Sequence, residues 1–490
     1  MSVINQPEER QTKGSYMTST IPVVDVSDSE AKQKDKTVEH ELYASREKIY
    51  VRKITGFFQT VRKRSLTLLL AMYFVLAWVN YDGKPLILFD LSERKFHLFG
   101  AVFWPQDFTL LAFALIICAF GLFFITSLFG RVWCGYSCPQ TVWSFMFMWL
   151  EDLFEGSRNK RIKLDKNKWD LEKLIKKSAK HLSWLALAFA TGLTFVGYFY
   201  PIRELIADVF TLSVVSGWAI FWVGFFTVAT YINAGWMREQ VCIYMCPYAR
   251  FQSVMFNENT MIVGYDKARG EPRGKPSRAQ PKSSLGACVD CSLCVQVCPT
   301  GIDIRDGLQY ECIGCALCVD ACDSVMNKLK YETGLIRYAS EKEFEQGERP
   351  KMIDSRSIGY GVLMLVVVGV FSSFLITRPL AELSVLRDRG ALYYENGMGM
   401  IENNYTLKLV NKLETPVSYR LSVEGDIALN MSVNTVEAGP GELKEVPVTV
   451  EVSPDVIKTA NNAITFKVQS ASNPDLHADA SSKFLGPVAY

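Results

Sequence analysis

The sequence predicts an α-helical membrane protein with five transmembrane helices, a small cysteine-rich domain inserted between the fourth and fifth, and an all-β immunoglobulin-like sandwich at the carboxyl end. Three observations carry this: apolar runs approaching the length of a bilayer, eight cysteines within the 35 residues from Cys288 to Cys322, and period-two alternation after the last apolar run. At 490 residues, 49% of them hydrophobic, the chain has room for several domains. Its net charge of +2 gives no footing for a nucleic-acid partner, and none is expected.

Residues 1–50 read as a disordered cytoplasmic tail. The first 40 are polar and lack an apolar core, so no cleavable signal segment is expected. A four-helix membrane domain follows over 51–260, with spans expected near 65–80, 108–130, 182–200 and 209–231 and a fifth at 357–377; each approaches the roughly 20 residues a spanning helix needs. The first is shortest and can borrow apolar residues between Ile54 and Phe58. Arg52, Lys53, Arg62, Lys63 and Arg64 precede it, and positive charge favours the cytoplasm. The loop before the third span is rich in Lys and Arg from Arg158 to Lys180, whereas the intervening loops offer only Lys84, Arg94, Lys95 and Arg203. The amino terminus and the cysteine-rich domain are therefore expected in the cytoplasm and the carboxyl-terminal domain outside, in the periplasm.

Residues 261–287, rich in Gly, Pro, Lys and Arg, read as a flexible basic linker near anionic headgroups. The cysteine-rich domain occupies 288–330, a cytoplasmic connector 331–356, and the sandwich 378–490. In that last part Leu407 and Leu409, then Val417, Tyr419, Leu421 and Val423, then alternate residues from Val446 to Val452, then Ile464, Phe466 and Val468 alternate with polar residues, with the turn Gly439–Glu442 between runs. It has no cysteine and one histidine, His477, so docking rather than chemistry is expected of it.

The inserted domain carries the chemistry. CVDCSLCVQVCP and CIGCALCVDACD are both C-x-x-C-x-x-C-x-x-x-C runs, the bacterial ferredoxin spacing, in which the fourth cysteine of each run crosses to the other cluster. This assigns Cys288, Cys291, Cys294 and Cys322 to one [4Fe-4S] cluster and Cys312, Cys315, Cys318 and Cys298 to a second. Two zinc sites would leave cysteines unexplained in both halves.

A second set lies at helix ends. Cys134, Tyr136, Cys138, Pro139 and Trp143 recur 108 positions later as Cys242, Tyr244, Cys246, Pro247 and Phe251, a weak internal repeat. Proline disfavours helical geometry in the cysteine before it, so each motif is expected to turn its two sulfurs toward a common point. Four thiolates would suit monovalent copper, zinc or an iron–sulfur cluster, with Met146, Met148 and Met245 as nearby thioethers; buried packing is the plainer alternative. Cys118, mid-span, reads as a buried apolar side chain. His97 and His181 are expected near opposite membrane faces, which argues against a shared haem.

The doubled C-x-x-x-C-P motif, the CVDCSLCVQVCP…CIGCALCVDAC module between spans four and five, and the β-rich tail together resemble the FixG/CcoG (RdxA) family of cytochrome oxidase accessory proteins, over nearly the whole chain after residue 50. The resemblance implies a bacterial inner-membrane cupric reductase that converts Cu(II) to Cu(I) on the cytoplasmic side for assembly of a cbb-type oxidase. Copper, as substrate or bound ion, is then expected near Cys134, Cys138, Cys242 and Cys246. Implied partners are a copper-transporting ATPase or copper chaperone and oxidase assembly factors. The electron donor stays open, as does a homo-oligomeric state. Related membrane ferredoxins supply one alternative, a quinol dehydrogenase feeding a respiratory reductase; the non-enzymatic alternative is an assembly scaffold whose clusters only stabilise the fold.

Overall fold

The structure, a computed structural model, describes residues 48–487 except 82, 213–216, 276–284, 349–353, 414 and 458. The expected tail, residues 1–47 of it, lies outside the described residues. In chain order the helices used below are α1 (Phe57–Leu76), α2 (Phe108–Phe129), α3 (Val132–Tyr136), α4 (Pro139–Glu155), α5 (Leu171–Gly197), α6 (Gly217–Met237, its last turns in π geometry), α7 (Val241–Met245, a π turn), α8 (Pro247–Met255), α9 (Leu317–Leu329) and α10 (Ser355–Ile376).

Among the described residues, four helices are long and apolar enough to cross a bilayer: α2, α5, α6 and α10. The chain is a membrane protein on this ground. The first expected span, 65–80, overlaps α1 as far as Leu76, and α1 does not meet the same measure because Arg62, Lys63 and Arg64 lie inside its 20 residues. The fourth span also starts later than expected, since Ile202–Thr211 forms a separate short helix before α6.

α2 and α10 pack antiparallel, Phe113 stacking on Phe374 and Gly121 facing Met364. Leu111, Leu115, Leu365 and Val366 on these two helices stay exposed, as lipid-facing side chains would. Cys118 is exposed on α2, not buried as expected, because α2 has a packing partner on few of its faces. α5 and α6 approach closely at Gly192, where a Cβ would stand 2.8 Å from the Val223 carbonyl oxygen.

Beside them, α4 buries two carboxylates. Glu151 pairs with Arg161 (3.3 Å) and Arg238 (2.7 Å), and Glu155 with Lys177 and Lys180 (both 2.9 Å). Buried charge is tolerable only when so paired. Arg161, Lys177 and Lys180 of the basic stretch before the third span are thus tied into internal ion pairs and are not a free cationic face.

The basic stretch expected to be a linker is, in its described first part, folded. Ile262–Tyr265 pairs antiparallel with Ile336–Ala339, and a helical turn Lys267–Gly270 is capped by Asp266. Local partners remove the cause of flexibility: Arg337 bonds Asp266 (2.9 Å) and Arg269 donates to the Thr333 carbonyl (2.9 Å). The expected connector is likewise part of this domain, since it supplies the second strand and the helix Glu341–Gln346.

At the carboxyl end two antiparallel sheets face each other. One runs Asn430–Met431, Leu443–Val452, Ile401–Asn411, Ala381–Arg387; the other Thr435–Ala438, Val417–Gly425, Asn461–Ser470, His477–Leu485. The alternating residues meet between them, with Leu407, Leu409, Tyr419, Val450, Phe466 and Val468 fully or almost fully buried. Asp107, one residue before α2, holds this sandwich through Lys412 (3.0 Å) and Arg378 (2.5 Å). The sandwich and the cysteine-rich domain therefore sit at opposite ends of α2.

Candidate functional site

The two C-x-x-x-C-P motifs fold alike. In each, the first cysteine sits in a short helical turn, α3 or α7, and the second adopts extended geometry as the N-cap of the next helix (Cys138 ψ 129°, Cys246 ψ 109°). Proline follows at the first helical position, where its missing N–H costs nothing. The amides of Gln140 and Thr141 face the Cys138 sulfur and favour its thiolate, though burial outweighs them and raises this thiol.

Packing joins the copies. Cys134 Sγ donates to Gln252 Oε1 (3.2 Å) on α8, and Arg131 donates to the Ala249 carbonyl. From the other side Gln140 Nε2 reaches the Asn233 and Arg238 carbonyls (3.0 Å each), and Cys242 lines a small cavity with Gln140 and Thr141. Burial first, and then the neighbouring sulfurs, push the Cys134 and Cys242 thiols up to about 12. Without a bound soft metal both are protonated at neutral pH.

α3 is seated on the cysteine-rich domain. At Gly135 a Cβ would come within 2.9 Å of both the Cys315 Cα and the Ile313 carbonyl oxygen, so no other residue fits without movement of backbone. Tyr136 donates to the Cys315 carbonyl (3.2 Å), Arg131 to the Cys312 carbonyl (3.3 Å), and the buried Arg62 to the Gly135 carbonyl (3.1 Å). Asp320 of α9 accepts from the first-turn amides of Phe58 (3.2 Å) and Gln59 (2.7 Å), capping α1. Gly135, Arg62, Asp320 and Gln252 were not legible as functional beforehand. One signal existed: Gly135 stands where the second copy has Ile243.

Inside the domain the structure brings Cys288, Cys291, Cys294 and Cys322 around one small cavity, and Cys298, Cys312, Cys315 and Cys318 around another, which Cys294 also touches. Burial pushes Cys312 and Cys322 up to about 12 and Cys294 up to about 11. Among the described residues no three His, Cys, Asp or Glu side chains lie close enough for a single metal ion. A cubane spaces its thiolates more widely than one ion does, so the paired cavities fit clusters. The four membrane-edge thiols, equally, are no ready-made cage for one resident copper ion. His181, for its part, bonds Tyr231 (2.7 Å).

Comparison with known proteins fits this division. The nitrogen fixation protein FixG of Rhizobium meliloti is 36% identical over 93% of this chain and 91% of its own length. The chain belongs to the FixG/RdxA family. RdxA and RdxB of Cereibacter sphaeroides are 37% and 38% identical over 80% and 83% of the chain and 85% and 87% of their own lengths. Within this FixG-type chain, residues 237–341 match a 4Fe-4S dicluster domain, 371–487 an IG-like fold at the C-terminal of FixG, and 111–160 a 4Fe-4S binding domain. A FixG-related protein from Vibrio parahaemolyticus is 31% identical, covering 22% of this chain and 98% of that structure, with a TM-score of 0.21. The chain is thus an iron–sulfur redox protein of the membrane.

Proposed function

We propose that this FixG-type protein carries electrons from its dicluster domain to the four thiols at the membrane edge, where Cu(II) is reduced to Cu(I), one electron per ion. One observation carries the reading: α3, which bears Cys134, is seated on the Cys312–Cys318 loop, so the two cysteine sets share a packed interface without intervening solvent. Cys288, Cys291, Cys294 and Cys322 would hold one cluster and Cys298, Cys312, Cys315 and Cys318 the other. When bound, the clusters supply one-electron storage and transfer. Arg131, Tyr136 and Arg62 fix the interface by gripping carbonyls on both sides of it, and burial excludes water from it.

Softness selects the substrate. Thiolates and thioethers favour monovalent copper, and Met245, 58% exposed, presents a thioether to the outside beside Cys246. Copper enters here as substrate, destined for a copper-transporting ATPase or chaperone and for assembly of a cbb-type oxidase in a bacterial inner membrane. Arg52 and Lys53 before α1 support a cytoplasmic dicluster domain, and the separation of the two domains along α2 supports a periplasmic sandwich.

A quinol donor is favoured by a cavity of about 390 Å³ between α1, α4 and the dicluster domain, lined by Ile54, Phe145, Met146 and Trp149 with Arg52 and Lys63, and reaching Pro299 beside Cys298. The test is Cu(I) formation by anaerobically purified protein in liposomes. Replacing Cys134, Cys138, Cys242 and Cys246 with Ala should lower the rate by about 10-fold to 100-fold; an unchanged rate removes the thiols from the path.

A further inference from the structure

We propose that Cys134, Cys138, Cys242 and Cys246 together hold a third [4Fe-4S] cluster, bridging the two halves of the internal repeat. The inference deepens the reading above and rests on it for its purpose: the thiols become the last electron carrier before copper, and copper is met outside them. The match of residues 111–160 to a 4Fe-4S binding domain is incomplete by itself. That segment contains Cys118, Cys134 and Cys138 only, and Cys118 lies in α2, on the far side of the Gly130 break and exposed. A cubane takes four protein ligands, so two must come from elsewhere.

The fold supplies them. Gln252, which accepts from Cys134, is on the helix that Cys246 caps, and Cys242 shares a cavity wall with the two residues that follow Cys138–Pro139. These contacts bring the two motifs side by side, so that two thiols from each copy of an identical motif gather at one end of the membrane domain. Their spacing excludes a preformed single-ion site among the described residues, as it does for the dicluster cysteines. Four thiols convergent yet too far apart for one ion are the ligand set a cubane needs. Gln252 is itself fully buried, held by Thr126 (3.2 Å), and so fixes the orientation of Cys134 rather than coordinating. Loading is a ligand exchange: the four Fe–S bonds to the thiolates of a cluster-carrier protein break, four Fe–S bonds to these cysteines form, and the four S–H protons pass to the displaced thiolates, with no change in oxidation state.

Iron and acid-labile sulfide per chain test this in anaerobically purified, full-length protein. About 12 of each are expected, against about 8 for a dicluster protein alone. Cys242→Ser/Cys246→Ser should lose about four irons, not two, and keep the dicluster electron paramagnetic resonance signals. A wild-type count of about 8, or stoichiometric copper or zinc at the membrane-edge thiols, overturns the proposal, and the wild-type count stands whether or not the variant folds. The copper reading fails separately: twelve irons with no Cu(I) formation would keep the third cluster and remove its substrate.

Discussion

The two cysteine sets reach similar ends by opposite routes. Eight lie in one 35-residue stretch, where short helical turns opening at Ser292 and Ala316, both in left-handed backbone geometry, wrap each cavity from local chain. Four lie 108 positions apart in two motifs, and meet only because α3, α4, α7 and α8 pack together. A locally wrapped site depends mainly on its ligands. An assembled one depends equally on the packing that brings its side chains together, and this is where substitutions should separate the two.

The largest effect is expected within the local set. Cys318→Ala should remove about four irons, and lower Cu(I) formation by about 100-fold, because the cluster nearest α3 is lost. Iron analysis and the copper assay check both. If iron is unchanged, Cys318 is not a cluster ligand.

Next comes the interface. Gly135→Val drives a side chain into the Cys315 backbone and should cost about 1–3 kcal/mol of stability. Electron transfer to the edge thiols should slow while dicluster iron is retained. Ile243→Val at the equivalent position of the second copy, which removes a methyl group and adds nothing, should cost about 1 kcal/mol and leave transfer unchanged. Equal effects at the two positions would mean that both copies serve the same packing role.

Asp320→Ala should be milder. It removes the cap of α1 at Phe58 and Gln59, worth about 1–2 kcal/mol, and frees the amino end of α1 without touching a thiol. Denaturant unfolding and hydrogen exchange at those two amides measure it.

The smallest redox effect is expected at Asp107. Burial raises its carboxyl, but the Trp104 amide, Lys412 and Arg378 outweigh it and hold the group below the usual carboxylate range. A depressed folded value means that the stabilisation is present above the unfolded value, about pH 4, and is lost as pH falls through the folded one. Asp107→Asn should abolish that acid sensitivity of sandwich docking, followed by limited proteolysis, while iron content and Cu(I) formation stay as in the wild type.

The same contrast explains what the sequence disclosed. Dicluster spacing and the sandwich's alternation are local patterns, and both domains were readable from them. The pairing of Cys134 with Gln252 and the seating of Gly135 are contacts more than a hundred positions apart, and no periodicity encodes them. Counting apolar runs failed at α1 for a different reason. Its arginines look like a flank in sequence, yet Arg62 is inside the helix and buried against α3, because the dicluster domain covers that end. The basic linker failed similarly: Ile262–Tyr265 reads as linker until its pairing with Ile336–Ala339, more than 70 positions on, is known.

The central claim is that electrons held in the dicluster domain leave through the membrane-edge thiols. Single-turnover oxidation tests it most directly: the clusters are reduced beforehand, Cu(II) is added in the absence of oxygen, and cluster absorbance is followed. Rapid reoxidation is expected in the wild type, with the clusters of the Cys134→Ala/Cys138→Ala/Cys242→Ala/Cys246→Ala variant staying reduced on the same timescale. Equal reoxidation rates in both proteins would contradict the account and send electrons to copper directly from the dicluster domain.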